Sequence, residues 1–315
     1  MSLFNTLGQS VTGMSIAEAM DSTKLNWTVS KRPIYVTTDN PDEFATTNKF
    51  FANTRDDNNA ILGIVGTDYQ IIQNHELAEM ASRVCGSDVK VETCGELHGG
   101  QRVWIQLSSN PFGVGPNRDE VQPKFLLTNG HTGLHPLGAL PTTRRVICEN
   151  TLNMALQDAR SNNTMITLKH SGNIQSRLES LINAIEEFHH RTEQFESKAN
   201  ILASCSVTTE FVQKFWTQLY MDLFGSIHES PMNEAQNEDN SKAKSTLTKW
   251  TNTFDSEVKE SGANLWTAMN AVTYWLDHQQ IYRGTNKTEN RFVDTLFGQR
   301  AKQKLEVMDY ALCAS

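Results

Sequence analysis

Cysteine is scarce in this chain and never sits at a metal or redox spacing. Cys85, Cys94, Cys148, Cys205 and Cys313 are scattered through 315 residues, odd in number and without a CxxC pair. That argues against a disulfide framework or a zinc ribbon and fits reduced thiols packed as small core residues. Long apolar runs are missing too, since none approaches the ~20 residues that cross a bilayer. The first ten residues hold no Lys or Arg, so a secretory signal is not seen and the cytoplasm is the expected compartment. Positive charge is in deficit, 28 Lys and Arg against 36 Asp and Glu for a formal net charge of -8. Coating duplex DNA by bulk charge is excluded, whereas a local basic groove is not. There is no Walker lysine loop, and Gly113-Val114-Gly115 lacks the third glycine of a dinucleotide fingerprint. No paired-carboxylate motif, tandem repeat or sustained heptad is present. No catalytic set, metal or cofactor is therefore expected, and an enzyme centred on Cys148 or a histidine ranks last.

What is present suits a globular fold, with 38% hydrophobic and 20% charged residues giving enough apolar surface for a real core. Ser15 with Glu18 three residues on has capping-box spacing and predicts a short helix over 15–20. Trp27 is expected to dock the N-terminal arm. Strands are read at 31–36, 60–65 and 69–72, and Asn74 is read as the cap of a helix over 75–84. Val89–Cys94 and Arg102–Leu107 form a hairpin around Gly99-Gly100, with Val103, Ile105 and Leu107 on one apolar face. A strand at 121–128 meets a turn at Asn129-Gly130, and 134–140 returns. The later half reads as helices. Apolar positions from Ile174 to Phe188 form a helical stripe that continues to about Leu202. A second helix follows Thr208 or Thr209, and others start near Lys242, Ala263 and Arg291. Residues 229–240, with Pro231, four acids and no Lys or Arg, read as a flexible acidic loop. The fold class is thus α+β, a largely antiparallel N-terminal sheet with packed helices and then an α-helical C-terminal half. The expected organisation is an arm at 1–59, an α+β core at 60–172 and a helical region at 173–315.

The chemistry-bearing stretch is 142–156. Arg144 and Arg145 precede an apolar run, and Asn150 or Thr151 is read as the cap of a helix starting near Leu152. Arginine forks beside a helix N-terminus suit an anion. The plainer alternative is that they pair with local acids. Adjacent residues of an extended segment face opposite ways, so one arginine is expected to meet a ligand and the other a buried acid at the junction. His131 and His135 are four apart, but Gly133 and Pro136 argue against a helical zinc pair. Tyr69 and Trp104 lie in or beside strands that also carry Arg102 and Lys124. With Arg144, Arg145 and Lys169 they make the candidate groove for a single strand, cations for phosphates and aromatics for bases. The alternative is that the aromatics are core.

Several motifs together resemble a family of phage- and plasmid-like proteins known only as a domain of unknown function. The run from Gly63 to Asn74, the Gly100–Trp104 turn and strand, Arg145-Val146-Ile147-Cys148-Glu149-Asn150-Thr151-Leu152, Lys169-His170-Ser171, and Trp266, Asn270-Ala271-Val272-Thr273 and Asp277-His278 match its motifs in order. The resemblance covers about residues 60–312 and implies a mobile-element setting but no activity. At fold level the strand and helix order is similar to phage single-strand annealing proteins of the Erf and RecT groups. The leading expectation is a DNA-metabolism protein that binds single-stranded DNA, promoting annealing or recombination as a homo-oligomer. The runner-up is a non-enzymatic interaction protein for a host or defence factor. Rings or filaments favour the first, and a large exposed apolar patch favours the second.

Overall fold

The computed structural model describes residues 3–86, 88–147, 150–154, 166–167, 174–229, 233–282 and 285–315, with backbone alone for 166–167 and 174–182. The chain divides into two compact units. The first comprises Met1–Asn110, Pro123–Thr142 and Leu156–His190, and the second Pro111–Gln122, Thr143–Ala155 and Arg191–Ser315. Residues 1–59, read from sequence as an arm, therefore lie within the first unit.

The first unit opens with α1 (Leu3–Leu7), β1 (Gly8–Ser10) and α2 (Ile16–Ser22). Ser15 caps α2 as its spacing predicts, and Glu18 closes the box back onto the Ser15 amide at 2.8 Å. Three strands follow, β2 (Val29–Thr37), β3 (Phe44–Arg55) and β4 (Ile61–Gly66), paired antiparallel in the order β2-β3-β4. Then come α3 (Asn74–Val84), β5 (Lys90–Leu97) and β6 (Arg102–Ser108), the last two joined by the expected hairpin through His98–Gly100. Gly99 and Gly100 take φ of 68° and 101°, backbone that a side chain would strain. The expected strand at 69–72 is absent. Those residues carry no regular structure, and side chains hold them instead: Asn129 Nδ2 donates to the Ile72 carbonyl at 2.9 Å and Tyr69 Oη donates to the Gly130 carbonyl at 2.9 Å.

The chain next forms β7 (Phe112–Val114) in the second unit, then β8 (Asp119–Gly130) and β9 (Gly138–Arg145), whose residues are shared between the units. In the first unit the main sheet has the order β1-β5-β6-β8-β9. Asn129-Gly130 is not the turn the sequence suggested. Asn129 pairs with Val103 and Gly130 with Arg102 inside the ladder, and the bend falls at 131–135. The Asn129 side chain is spent on holding the 69–74 segment, so its turn propensity is overridden.

In the second unit β10 (Thr151–Asn153) replaces the expected helix start near Leu152. The cap-type residues here brace other elements instead, as shown below. The short strand β11 (Ile166–Thr167) pairs antiparallel with β9 in the first unit. Helices α4 (Ile174–Ser204), α5 (Thr209–Leu223), α6 (Glu234–Ser261), α7 (Leu265–Tyr274), a π-helical turn over Trp275–Gln279, α8 (Lys287–Phe297) and α9 (Gln299–Cys313) complete the chain. Thr208 caps α5 as expected, and Gly298 splits the helix read over 291–312. The acidic loop is corrected. Among its described residues, 234–240 are the first turns of α6, because Asn233 and Gln236 form a capping box and Glu238 pairs with Lys242 at 2.7 Å. Acidic side chains at a helix N-terminus are favoured by its dipole. The core of this unit is aromatic. Trp250 is fully buried and meets Trp216, Phe224 and Trp275 at 5.7–6.2 Å between ring centroids.

Candidate functional site

The residues of the expected strand groove fall in both units. Tyr69, Arg102, Trp104 and Lys124 belong to the first unit, Arg144 and Arg145 to the second, and Lys169 lies outside the described residues. Trp104 is core. It faces the paired glycines Gly8 and Gly95, where a Cβ on either would come within 2.6 Å of its indole, and Phe4 meets it edge-on at 5.2 Å. Lys124 is buried and paired with Glu92. Arg102 is buried opposite Gly130, and burial pulls its pKa down to about 10, so it stays charged near neutrality. Tyr69 is half-buried on a recess of about 390 Å³ lined by Asp68, Leu134 and His135. Arg144 is half-buried at the end of β9.

Arg145 is 2% exposed. Its Nε donates to Asp119 Oδ2 at 2.5 Å, its Nη1 to Glu257 and its Nη2 to Ser261 Oγ at 2.7 Å. Trp266 Nε1 donates to the same Asp119 oxygen at 2.7 Å. This is the buried-acid alternative, with two acids sharing one guanidinium fork. Burial raises the Glu257 pKa, and the neighbouring Arg145 opposes that rise.

The following residues continue the network. Asn150 Nδ2 donates to the Asn270 carbonyl at 3.1 Å and to Thr273 Oγ1 at 3.0 Å. The Thr151 amide donates to Asp277 Oδ2 at 2.8 Å, and Asn153 Nδ2 donates to the Leu296 carbonyl at 2.8 Å. Lys304, wholly buried, donates to Asp277 Oδ1 at 2.8 Å and to the Thr151 carbonyl. Burial lowers the Lys304 pKa against the pull of Asp277. Asp277 sits in the π-helical turn, a distortion often found where a helix serves a site. Two motifs that are 120 residues apart in sequence thus interlock side chain to backbone. Sequence reading named both motifs but not Asp119, Glu257 or Lys304, which carry the charges.

In the first unit a second polar cluster holds the 69–74 segment. His131 is fully buried, its Nε2 is 3.0 Å from Asn74 Oδ1, and Trp27 lies against the ring at 5.3 Å. Asn74 Nδ2 already donates to the Leu25 carbonyl at 3.0 Å, so its Oδ1 accepts and the Nε2–H tautomer is inferred. Trp27 is docked as expected, under the Arg55 guanidinium at 4.1 Å and donating to Glu96 at 3.1 Å. Burial, helped by Arg55, pulls the His131 pKa down to about 4. An unfolded histidine titrates near 6.5, so between those values the unfolded chain binds more protons. Stability is therefore expected to fall as pH drops from 6.5 to 4, by on the order of 3 kcal/mol. Urea unfolding across that range is the check. His131→Gln should start lower and lose less of its stability over the window.

Besides the recess at Tyr69, two further surfaces of the described residues bear on ligands. One is the sheet of β2, β3 and β4, where Tyr35, Val36, Phe44, Phe50, Ile61 and Ile64 are between 53% and 65% exposed. The distal parts of β2 and β3 form a hairpin arm closed by 38–43. Register puts Tyr35 opposite Thr46 and Thr37 opposite Phe44, so Tyr35 and Phe44 share a face. Ala52 opposite Ile64 and Phe50 opposite Gly66 likewise put Phe50 and Ile64 on one face at the root. The other surface is a cleft of about 470 Å³ in the second unit, walled by Tyr220, Phe224 and Trp275.

Residues 61–296 match the model of a family described as a domain of unknown function, DUF932. No curated protein and no solved structure matches the chain. The match spans most of the sequence, and the chain belongs to this family.

Proposed function

We propose that this member of the DUF932 family is an interaction protein that works by assembly, and that the β2–β3 arm joins two copies of the chain. The observation that carries the reading is the exposed apolar sheet. Isolated exposed apolar side chains are ordinary, but Tyr35 with Phe44 on one face of the arm, and Phe50 with Ile64 on one face at its root, are paired exposures that mark an interaction surface. β2 is the edge of its sheet, and an edge strand bearing Tyr35 and Val36 is a template for another strand. The charges favour a second copy as the occupant. The arm tip carries Asp39, Asp42 and Glu43 with no base between 38 and 43, and the root carries Lys49 and Arg32, all exposed, with Arg32 also 3.3 Å from Asp56 of its own chain. Antiparallel pairing about a twofold near Tyr35 sets each acidic tip beside the other copy's basic root, a self-complementary contact.

The resemblance to phage- and plasmid-like proteins makes a mobile element the setting we propose for this assembly. Single-strand binding draws little support from the residues first named for it. Arg145, Lys124, Arg102 and Trp104 are buried, and a buried paired charge cannot reach a phosphate without leaving its partner bare.

The test is sedimentation velocity of the wild type beside Tyr35→Ser with Phe44→Ser. The wild type should form dimers at micromolar concentration and the variant should be monomeric. Its thermal stability should hold, because both side chains are exposed. A wild type that stays monomeric at high concentration, or a variant that dimerises equally well, removes the proposal.

A further inference from the structure

We infer that the aromatic cleft of the second unit is a binding site for a nucleobase, presented either by a free nucleotide or by an unstacked base of a single strand. Three features point to that chemistry. The first is the walls. Trp275 and Phe224 are half-buried, with centroids 5.5 Å apart in an edge-to-face arrangement, so each keeps ring surface that the core does not cover. Ring faces that reach solvent inside a concave site are what a planar heterocycle stacks on.

The second feature is the polar lining. Gln280, Gln299 and Gln303 reach the cleft beside Arg300. A primary amide offers both a donor and an acceptor, which matches the paired donor and acceptor edge of a base. Arg300 is held in place. Its Nε is 3.0 Å from Asp294 Oδ2, its Nη1 donates to the Leu276 carbonyl at 3.0 Å, and its Nη2 donates to Gln280 Oε1 at 3.2 Å. The guanidinium also stacks 4.4 Å from the Tyr282 ring centroid. Arg300 thereby orients Gln280 through its Oε1, which directs the Nε2 amide of Gln280 toward another acceptor.

The third feature is charge and size. Asp294 balances Arg300, and Glu238 pairs with Lys242 at the cleft. The interior is thus close to neutral, which suits an uncharged base better than a bare anion. Lys242 lines the cleft and is shared between Glu238 at 2.7 Å and Asp239 at 3.9 Å, so the site selects for the base and not for a phosphate. A volume of about 470 Å³ is within the range of small-ligand sites and holds a single nucleoside.

This site does not depend on the arm, and the two are tested apart. Tryptophan fluorescence of the full chain is titrated with AMP, CMP, GMP and UMP, and separately with ten-residue oligo(dA) and oligo(dT). Stacking on Trp275 should quench the emission saturably. Gln303→Ala and Trp275→Leu should each weaken binding about tenfold, the loss of one good contact, and circular dichroism should show Gln303→Ala folded as wild type. Tighter binding of the oligonucleotides than of the monophosphates assigns the base to a strand, and the reverse assigns it to a free nucleotide. Absence of saturable quenching by every probe up to millimolar concentration, or affinity unchanged by Gln303→Ala and Trp275→Leu, overturns the inference.

Discussion

Arg145→Ala is expected to destabilise the protein by roughly 3–5 kcal/mol, the cost of stripping one partner from a buried ionic cluster. Asp119 and Glu257 would be left facing each other's charge, with Ser261 and Trp266 as donors to the Asp119 carboxylate. Arg145→Lys should recover only part of the loss. Its single ammonium cannot reproduce a fork that serves two carboxylates and a hydroxyl. The pH dependence has a definite sign. Burial already raises the Glu257 pKa with Arg145 in place, so removing the arginine raises it further. Protonation then relieves the buried charge, and the gap between variant and wild type should narrow as pH falls toward 5. Urea unfolding at pH 7.5 and at pH 5 measures both effects. A loss under 1 kcal/mol at pH 7.5 would show that Arg145 is not the counter-charge the geometry makes it.

The Asp277–Lys304 pair should show the second large effect. Asp277→Leu leaves a buried ammonium, and Lys304→Met leaves a buried carboxylate, each costing roughly 3–5 kcal/mol. The double variant removes both charges and should lose far less than the sum. It will not be neutral, because the Thr151 amide and carbonyl lose their partners in Asp277 and Lys304, a penalty of about 1–3 kcal/mol each. The coupling energy from the four-variant cycle should therefore exceed about 2 kcal/mol. Additive losses would mean that the two side chains act independently.

Much of the fold was legible where one local signal had no competitor. The capping box at Ser15, the Thr208 cap, and the hairpin from β5 to β6 all followed from spacing and turn chemistry. The failures share a cause, namely polar residues whose local role was taken by a distant partner. Asn129 braces Ile72 instead of making a turn, and Asn150 reaches Asn270 instead of capping a helix. Composition misled at 234–240, where acids that looked disordering stabilise the first turns of α6. For the site, sequence expected one of Arg144 and Arg145 to meet a buried acid but left open which, and it could not name acids that lie 26 and 112 residues from Arg145. The arm was invisible for a different reason. Tyr35, Phe44 and Phe50 alternate like core residues, and only the structure shows them uncovered.

Assembly through that arm is tested most directly by sedimentation velocity on a charge-reversal cycle. Arg32→Glu with Lys49→Glu reverses the root, and Asp39→Lys with Asp42→Lys reverses the tip. Either pair alone sets like charges against each other across the twofold and should weaken the dimer at least about tenfold at low salt. All four together restore opposite charges and should recover it. Root-reversed and tip-reversed chains that dimerise as well as wild type, or a combined variant no better than either, would contradict the account.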